Sequence, residues 1–129
     1  MDTIERVAHE VYNLLRSGMS EEIYHDVLCV GLRHKGMRCE QEYILPITIY
    51  GEQTKRFIKP DIIVDGKIIV ELKACGKLTD THRCQVERYL NVSKLREAIL
   101  INFGPMIYIQ KCTRDDTTFT WVPSHITNL

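Results

Sequence analysis

The chain has 129 residues, 44% of them apolar, and its 17 basic side chains are balanced by 17 acidic ones. That length is one domain's worth, 1–129, able to bury its own core. No apolar run nears the roughly 20 residues of a membrane span, so no membrane is expected, and zero net charge excludes a uniformly basic nucleic-acid binder.

In chain order, Ile4, Val7, Ala8, Val11, Leu14 and Leu15 fall at helical spacing and predict a helix over 3–16, broken at Ser17-Gly18. A second helix is expected over 20–35, with Ser20 as its N-cap and Gly36 as its stop. Residues 38–50 alternate like one strand, bent at Pro46. The segments 56–64 and 67–74 read as two strands joined by a turn at Asp65-Gly66. A helix over 79–94 opens at Thr79 or Asp80. Ala98–Asn102 is a short apolar strand ended by Gly104-Pro105. The segments 107–112 and 117–122 predict a last hairpin turning at residues 114–116. The order ααβββαβ plus a β tail is an α+β layout, with helices packed on a mixed sheet.

The N-terminus, Met1-Asp2-Thr3-Ile4-Glu5-Arg6, is mixed in charge and lacks the basic-then-apolar plan of a secretion signal. Five cysteines, an odd number without a Cys-x-x-Cys pair, argue against a zinc site or a disulfide framework. They argue for a reducing cytoplasmic or nuclear setting. Charge is unevenly spread. Residues 53–96 hold ten basic and five acidic side chains, a polarity that could aim one face at a phosphate backbone. A solvated surface with chance asymmetry is the competing account.

The most informative residues are Pro60-Asp61 and Glu71-Leu72-Lys73. Nine residues separate Asp61 from Glu71, enough for two short strands and a turn. Two carboxylates and a lysine at one spot suit metal-assisted phosphodiester cleavage: the acids hold a divalent cation and the lysine steadies the attacking water or the developing charge. Glu71 and Lys73 share a sheet face. Asp61 shares it only if the turn is not a plain two-residue loop. A three-residue turn, a bulge at Gly66 or an irregularity at Pro60 is therefore expected. The competing account makes Asp61 a strand-start residue and Glu71–Lys73 a surface ion pair. The nearly all-apolar run Ile-Ile-Val-Glu-Leu-Lys-Ala argues for a strand covered on both faces.

On the second helix, Glu21 shares the face of Tyr24, Leu28 and Leu32, which looks inward. Glu22 lines up with His25, Asp26, Cys29 and Arg33, which looks outward. On spacing alone Glu21 remains an ordinary first-turn acid favoured by the helix dipole. On the third helix His82, Gln85 and Tyr89 share a face, with Arg83 and Arg88 on others. His82 alone reads as a structural residue at the helix start.

Together these residues resemble the GxxExxY family within the PD-(D/E)xK nuclease superfamily. Gly18, Glu21 and Tyr24 stand in the naming motif, and Pro60-Asp61 and Glu71-Leu72-Lys73 match the superfamily signature. Lys77-Leu78-Thr79, His82, Gln85 and Tyr89-Leu90 look like the family's next helix, and Leu100-Ile101-Asn102-Phe103-Gly104 like its closing strand. The resemblance covers roughly residues 5–104. The tail 105–129, with Trp121, is unmatched and reads as an edge hairpin or a dimer surface. The resemblance implies a restriction-endonuclease-like core, a central mixed sheet flanked by helices. It implies Mg²⁺ or Mn²⁺ held by Asp61, Glu71 and the Leu72 carbonyl, with Glu21 binding directly or through water. Lys73 would orient the hydrolytic water, and Gln85 and Tyr89 would place the scissile phosphate or a metal-bound water. Lys59, Lys77, Arg83 and Arg88 would contact nucleic acid, DNA before RNA. A domain this small has little surface for a duplex, so a homodimer or a place inside a larger assembly is expected. The alternative is a catalytically inactive nucleic-acid-binding or protein-interaction module on the same fold.

Overall fold

The computed structural model describes residues 1–125. Helices α1 (Asp2–Leu15) and α2 (Glu21–His34) come first, followed by β1 (Cys39–Gln41), β2 (Leu45–Ile49) and β3 (Glu52–Ile58). Strands β4 (Ile62–Val64) and β5 (Ile68–Lys73) precede α3 (Asp80–Ser93), and β6 (Glu97–Phe103), β7 (Ile107–Asp115) and β8 (Thr118–Pro123) complete the order. Six strands form one sheet in the order β1-β4-β5-β6-β7-β8, while β2 and β3 pair as a separate ribbon. Among the described residues only β5 and β6 run parallel, joined by a crossover through α3. The mixed sheet between helices is the expected α+β, restriction-endonuclease-like arrangement.

The period-two alternation of the central strands divides the core in two. Ile62, Val70, Leu72, Ile99 and Ile101 pack with Val7, Tyr24 and Leu28 on the α1–α2 side. Ile63, Ile69, Ala98 and Leu100 pack with Val86 and Leu90 on the α3 side. Central strand β5 is therefore covered on both faces, as its apolar run requires. Glu71 and Lys73 continue the Ile69 series and so stand on the α3 side.

Three strand expectations are corrected. The single strand expected over 38–50 divides at residues 42–44, where Glu42 takes a left-handed φ of 50°. β1 then joins the large sheet, and β2 leaves for the ribbon. The strand expected over 56–64 divides at Lys59-Pro60, because proline has no N–H to give a ladder. The last turn falls at Asp116-Thr117 rather than at 114–116. The tail does form an edge hairpin, and Trp121 turns inward, donating from Nε1 to Glu87 Oε2 on α3 at 2.8 Å. Residues 126–129 of that tail lie outside the described residues. Among the described residues no helix is long and apolar enough to cross a membrane.

The loops carrying the site are fastened by side chains. Asn102, buried on β6, accepts from the Cys75 N–H at 3.1 Å and donates to the Cys75 carbonyl at 3.0 Å. This reciprocal amide pair fixes the chain as it leaves β5. A side chain at Gly104 would collide with the same Cys75 carbonyl, so only glycine fits there. Thr79 caps α3 by accepting from the His82 N–H, and His82 Nδ1 accepts from the Thr79 N–H. His82 is thus a helix-start residue.

Candidate active site

The geometry starts from the turn. Val64 pairs with Ile68, so three residues, Asp65, Gly66 and Lys67, separate the two strands. Asp65 and Gly66 both have left-handed φ, 54° and 66°. The three-residue turn sets the register Ile62↔Val70. Continuing it one step places Asp61 opposite Glu71, on the same side. The expected irregularity is present, and the two acids meet. Glu71 Oε1 accepts the Asp61 N–H at 2.7 Å, and Asp61 Oδ2 accepts the Leu72 N–H at 2.8 Å.

A further step of that register would set Pro60 opposite Leu72. In an antiparallel ladder a residue's N–H and C=O face the same neighbour. The Leu72 N–H faces Asp61, so its carbonyl faces the same side, where Pro60 has no N–H to offer. The sequence Pro-Asp thus leaves the Leu72 carbonyl without a strand donor beside two carboxylates.

Lys73, half-buried, donates from Nζ to Gln85 Oε1 at 3.3 Å, and Gln85 Nε2 donates to Tyr89 OH at 3.1 Å. The i, i+4 spacing on α3 makes this chain of contacts possible. Burial and the charges of Glu71 and Asp61 raise the Tyr89 hydroxyl above its ordinary pKa. Asp61, Glu71, Lys73, Gln85 and Tyr89 therefore converge.

Helix α2 contributes differently from expectation. Glu21 is exposed, and its carboxylate has no hydrogen-bond or ion-pair partner among the described residues. It lies one turn before His25 on the same side of α2. His25, expected to look outward, is half-buried with Nε2 3.7 Å from Asp61 Oδ1. Cys29, also expected outward, is buried. The inward face is centred one position further round than the spacing of Tyr24 and Leu28 suggests. A histidine one turn beyond Glu21 was the available signal for this contact. Arg83 is not free for phosphate. It bonds Asp80 Oδ1 at 2.6 Å and Gln110 Oε1 at 3.1 Å. Lys59, Lys77 and Arg88 are exposed.

The two acids titrate in opposite directions. For Asp61, burial pushes the pKa up, but His25 and the Leu72 N–H outweigh it and hold the carboxyl below its ordinary value. For Glu71, 3% exposed, burial and the Asp61 charge push the carboxyl well above its ordinary value. The fold therefore binds a proton on Glu71 that the unfolded chain has already lost. Stability from this group is greatest below the ordinary carboxyl pKa and falls as pH rises through the raised one. Glu71→Gln removes that loss. In urea titrations at pH 4 and pH 8, the variant's stability relative to wild type should increase from the lower to the higher pH. An equal difference at both pH values would contradict the raised pKa.

Among the described residues no three His, Cys, Asp or Glu side chains converge closely enough to cage a metal by themselves. The donors present suit a cation that needs no cage. Two carboxylates and the Leu72 carbonyl, all hard oxygens, suit Mg²⁺ or Mn²⁺, which bind one or two carboxylates and keep several waters.

A mixed sheet between helix layers, with one acid before β4 meeting an acid and a lysine at the end of β5, is the arrangement of a restriction-endonuclease-like fold. The sequence profile of the PD-(D/E)XK nuclease superfamily matches residues 1–114, past the end of the span resembled by motif, and the chain belongs to that superfamily. Its members generally use divalent metal ions. Among solved structures, SSO0001 matches with a TM-score of 0.55 and 24% identity, over 70% of this chain and 48% of that one. This is a likeness of fold, and the chain spans about half the length of that protein. An alkaline exonuclease from Laribacter hongkongensis matches with a TM-score of 0.42 and 13% identity, over 88% of this chain and 81% of that one. No curated protein matches.

Proposed function

We propose that this chain is a nuclease dependent on Mg²⁺ or Mn²⁺ that hydrolyses phosphodiester bonds, DNA before RNA. The observation that carries the proposal is the meeting of Asp61 and Glu71, with Glu71 accepting the Asp61 N–H and Asp61 accepting the Leu72 N–H, within one constellation that includes Lys73. Asp61, Glu71 and the Leu72 carbonyl would hold the cation, with Glu21 reaching it through water. When bound, the cation supplies Lewis acidity toward the phosphate and lowers the pKa of water.

The protein's own groups account for the rest. Gln85 accepts from Lys73 and fixes its ammonium beside Glu71, where it can hydrogen-bond a non-bridging phosphate oxygen and stabilise charge that grows in the transition state. Tyr89, kept protonated by its raised pKa, offers a hydroxyl to the phosphate or to water. His25 flanks Asp61 and helps keep that carboxylate ionised. The expected products are a 5′-phosphate and a 3′-hydroxyl. Exposed Lys59, Lys77 and Arg88 would follow the phosphate backbone. A homodimer would extend this small surface, and light scattering would reveal it.

Lys73→Ala should keep Mn²⁺ binding and lower cleavage by about 10²- to 10³-fold, the range for removing one preorganised charge-stabilising group. Unchanged turnover would remove the role given to Lys73. The central test is calorimetric titration of Mn²⁺ beside a cleavage assay on single- and double-stranded DNA and RNA. Mn²⁺ binding with metal-dependent cleavage supports the proposal. Nucleic-acid binding without metal, and no cleavage with it, would favour an inactive binding module instead.

A further inference from the structure

A cavity of about 450 Å³ opens among the loop after β5, the start of α3 and the β6–β7 turn. The strand register gives its relation to the site. Lys73 pairs with Asn102, and Asn102 with Tyr108, a row across three strands on the α3 side. Glu71, Leu100 and Gln110 form the row behind it. Tyr108 is thus two strands from Lys73, about 10 Å at the usual strand spacing. The cavity thus lies on the same sheet face as Lys73, beyond the Cys75 loop that bonds Asn102.

Its lining has three parts. Tyr108 is 47% and Met106 79% exposed, unusually bare for large apolar side chains at one spot. Asn102 and Arg83 form polar parts of the wall, but both arms of Asn102 are spent on Cys75, and Arg83 is spent on Asp80 and Gln110. Lys77 is exposed and forms no ion pair among the described residues. The cavity therefore offers an aromatic platform, a satisfied polar wall and one unmatched cation. Such a set suits a flat apolar ligand with an attached anion. It has little free hydrogen-bonding capacity to distinguish one base from another.

We propose that this cavity takes the nucleotide next to the scissile phosphate, its base against Tyr108 and Met106 and its phosphate near Lys77. The proposal rests on the nuclease reading and deepens it. A base inside a duplex stack cannot enter such a cavity, so the substrate is single-stranded nucleic acid or an unpaired end, taken with little base preference.

The test uses Asp61→Asn as background, so that no strand is cut. Fluorescence anisotropy follows an oligothymidylate of about 12 nucleotides, within the ~4–16 such surfaces cover, and a hairpin duplex of similar length. Adding Tyr108→Ala should weaken single-strand binding by about 5- to 150-fold, the range for losing one base–aromatic stack. It should leave duplex binding unchanged. Tyr108→Phe should bind like the background, since stacking needs only the ring. No binding of the oligothymidylate, equal binding with and without Tyr108→Ala, or equal weakening on both probes would overturn the proposal. Cleavage by the wild-type chain is scored separately. Its absence, with the anisotropy pattern intact, would remove the nuclease reading and leave the cavity as a single-strand binding site.

Discussion

In Asp61→Asn and in Glu71→Gln, metal-dependent cleavage is expected to fall by on the order of 10³-fold or more, the upper range for losing a preorganised electrostatic group. The two changes remove the same kind of charge from different surroundings. Asp61 is partly exposed, and its Oδ1 faces His25. Asparagine there can still accept the Leu72 N–H through its amide oxygen, so the strand end keeps its shape while a ligand charge is lost. Glu71 is buried and held by the Asp61 N–H, and glutamine can accept that bond too. Both variants should fold, and both should lose heat in a Mn²⁺ titration. Wild-type metal affinity should rise with pH, because burial raises the Glu71 pKa and protons then compete with the cation. Retained cleavage by both variants would end the two-carboxylate mechanism.

Tyr24→Ala should destabilise the fold by about 3–5 kcal/mol, the usual range for emptying a buried aromatic site. Tyr24 is fully buried and stacks on Phe103, with ring centroids 4.4 Å apart and planes 2° from parallel. Its hydroxyl donates to the Arg16 carbonyl and accepts the Met19 N–H at 3.2 Å. One ring thus joins α2 to β6, and its hydroxyl fastens the α1–α2 loop. Glu21, three residues earlier, is exposed and has no hydrogen-bond or ion-pair partner among the described residues, so Glu21→Gln should leave the unfolding midpoint nearly unchanged, within about 0.5 kcal/mol. Urea denaturation of the two variants checks the contrast. Two equally mild effects would mean that Tyr24 does not hold the loop.

The sequence was most informative where side-chain periodicity meets a covalent constraint. Period two put Glu71 and Lys73 on one face, and parity then required an irregular turn before Asp61 could join them. The three residues Asp65-Gly66-Lys67 meet that requirement. Helices α2 and α3 were legible because their caps, Ser20 and Thr79, act through local hydrogen bonds, and α1 because its apolar spacing is regular. Residues 38–50 were misread because alternation is the same whether a strand continues or leaves its sheet. Only the left-handed turn at Glu42 divides them, and glutamate does not advertise that conformation. His25 was missed for a related reason. Whether a helical residue touches a strand end depends on how the helix lies across the sheet, which spacing along one helix does not determine.

Every side chain that meets at the acid pair, except His25, comes from the stretch 61–89. Bringing Asp61 to Glu71 closes a very short loop, and bringing Gln85 to Lys73 closes one only slightly longer. Chain-closure entropy at these separations is lower than that of β1 meeting β4 or α1 meeting β7, although it grows only with the logarithm of loop length. The constellation is therefore a local product of folding: a turn and one crossover helix assemble it, and the distant elements serve to bury it. Long insertions at Tyr50-Gly51 or Asp116-Thr117, outside that stretch, would lengthen the chain without lengthening any of those short closures.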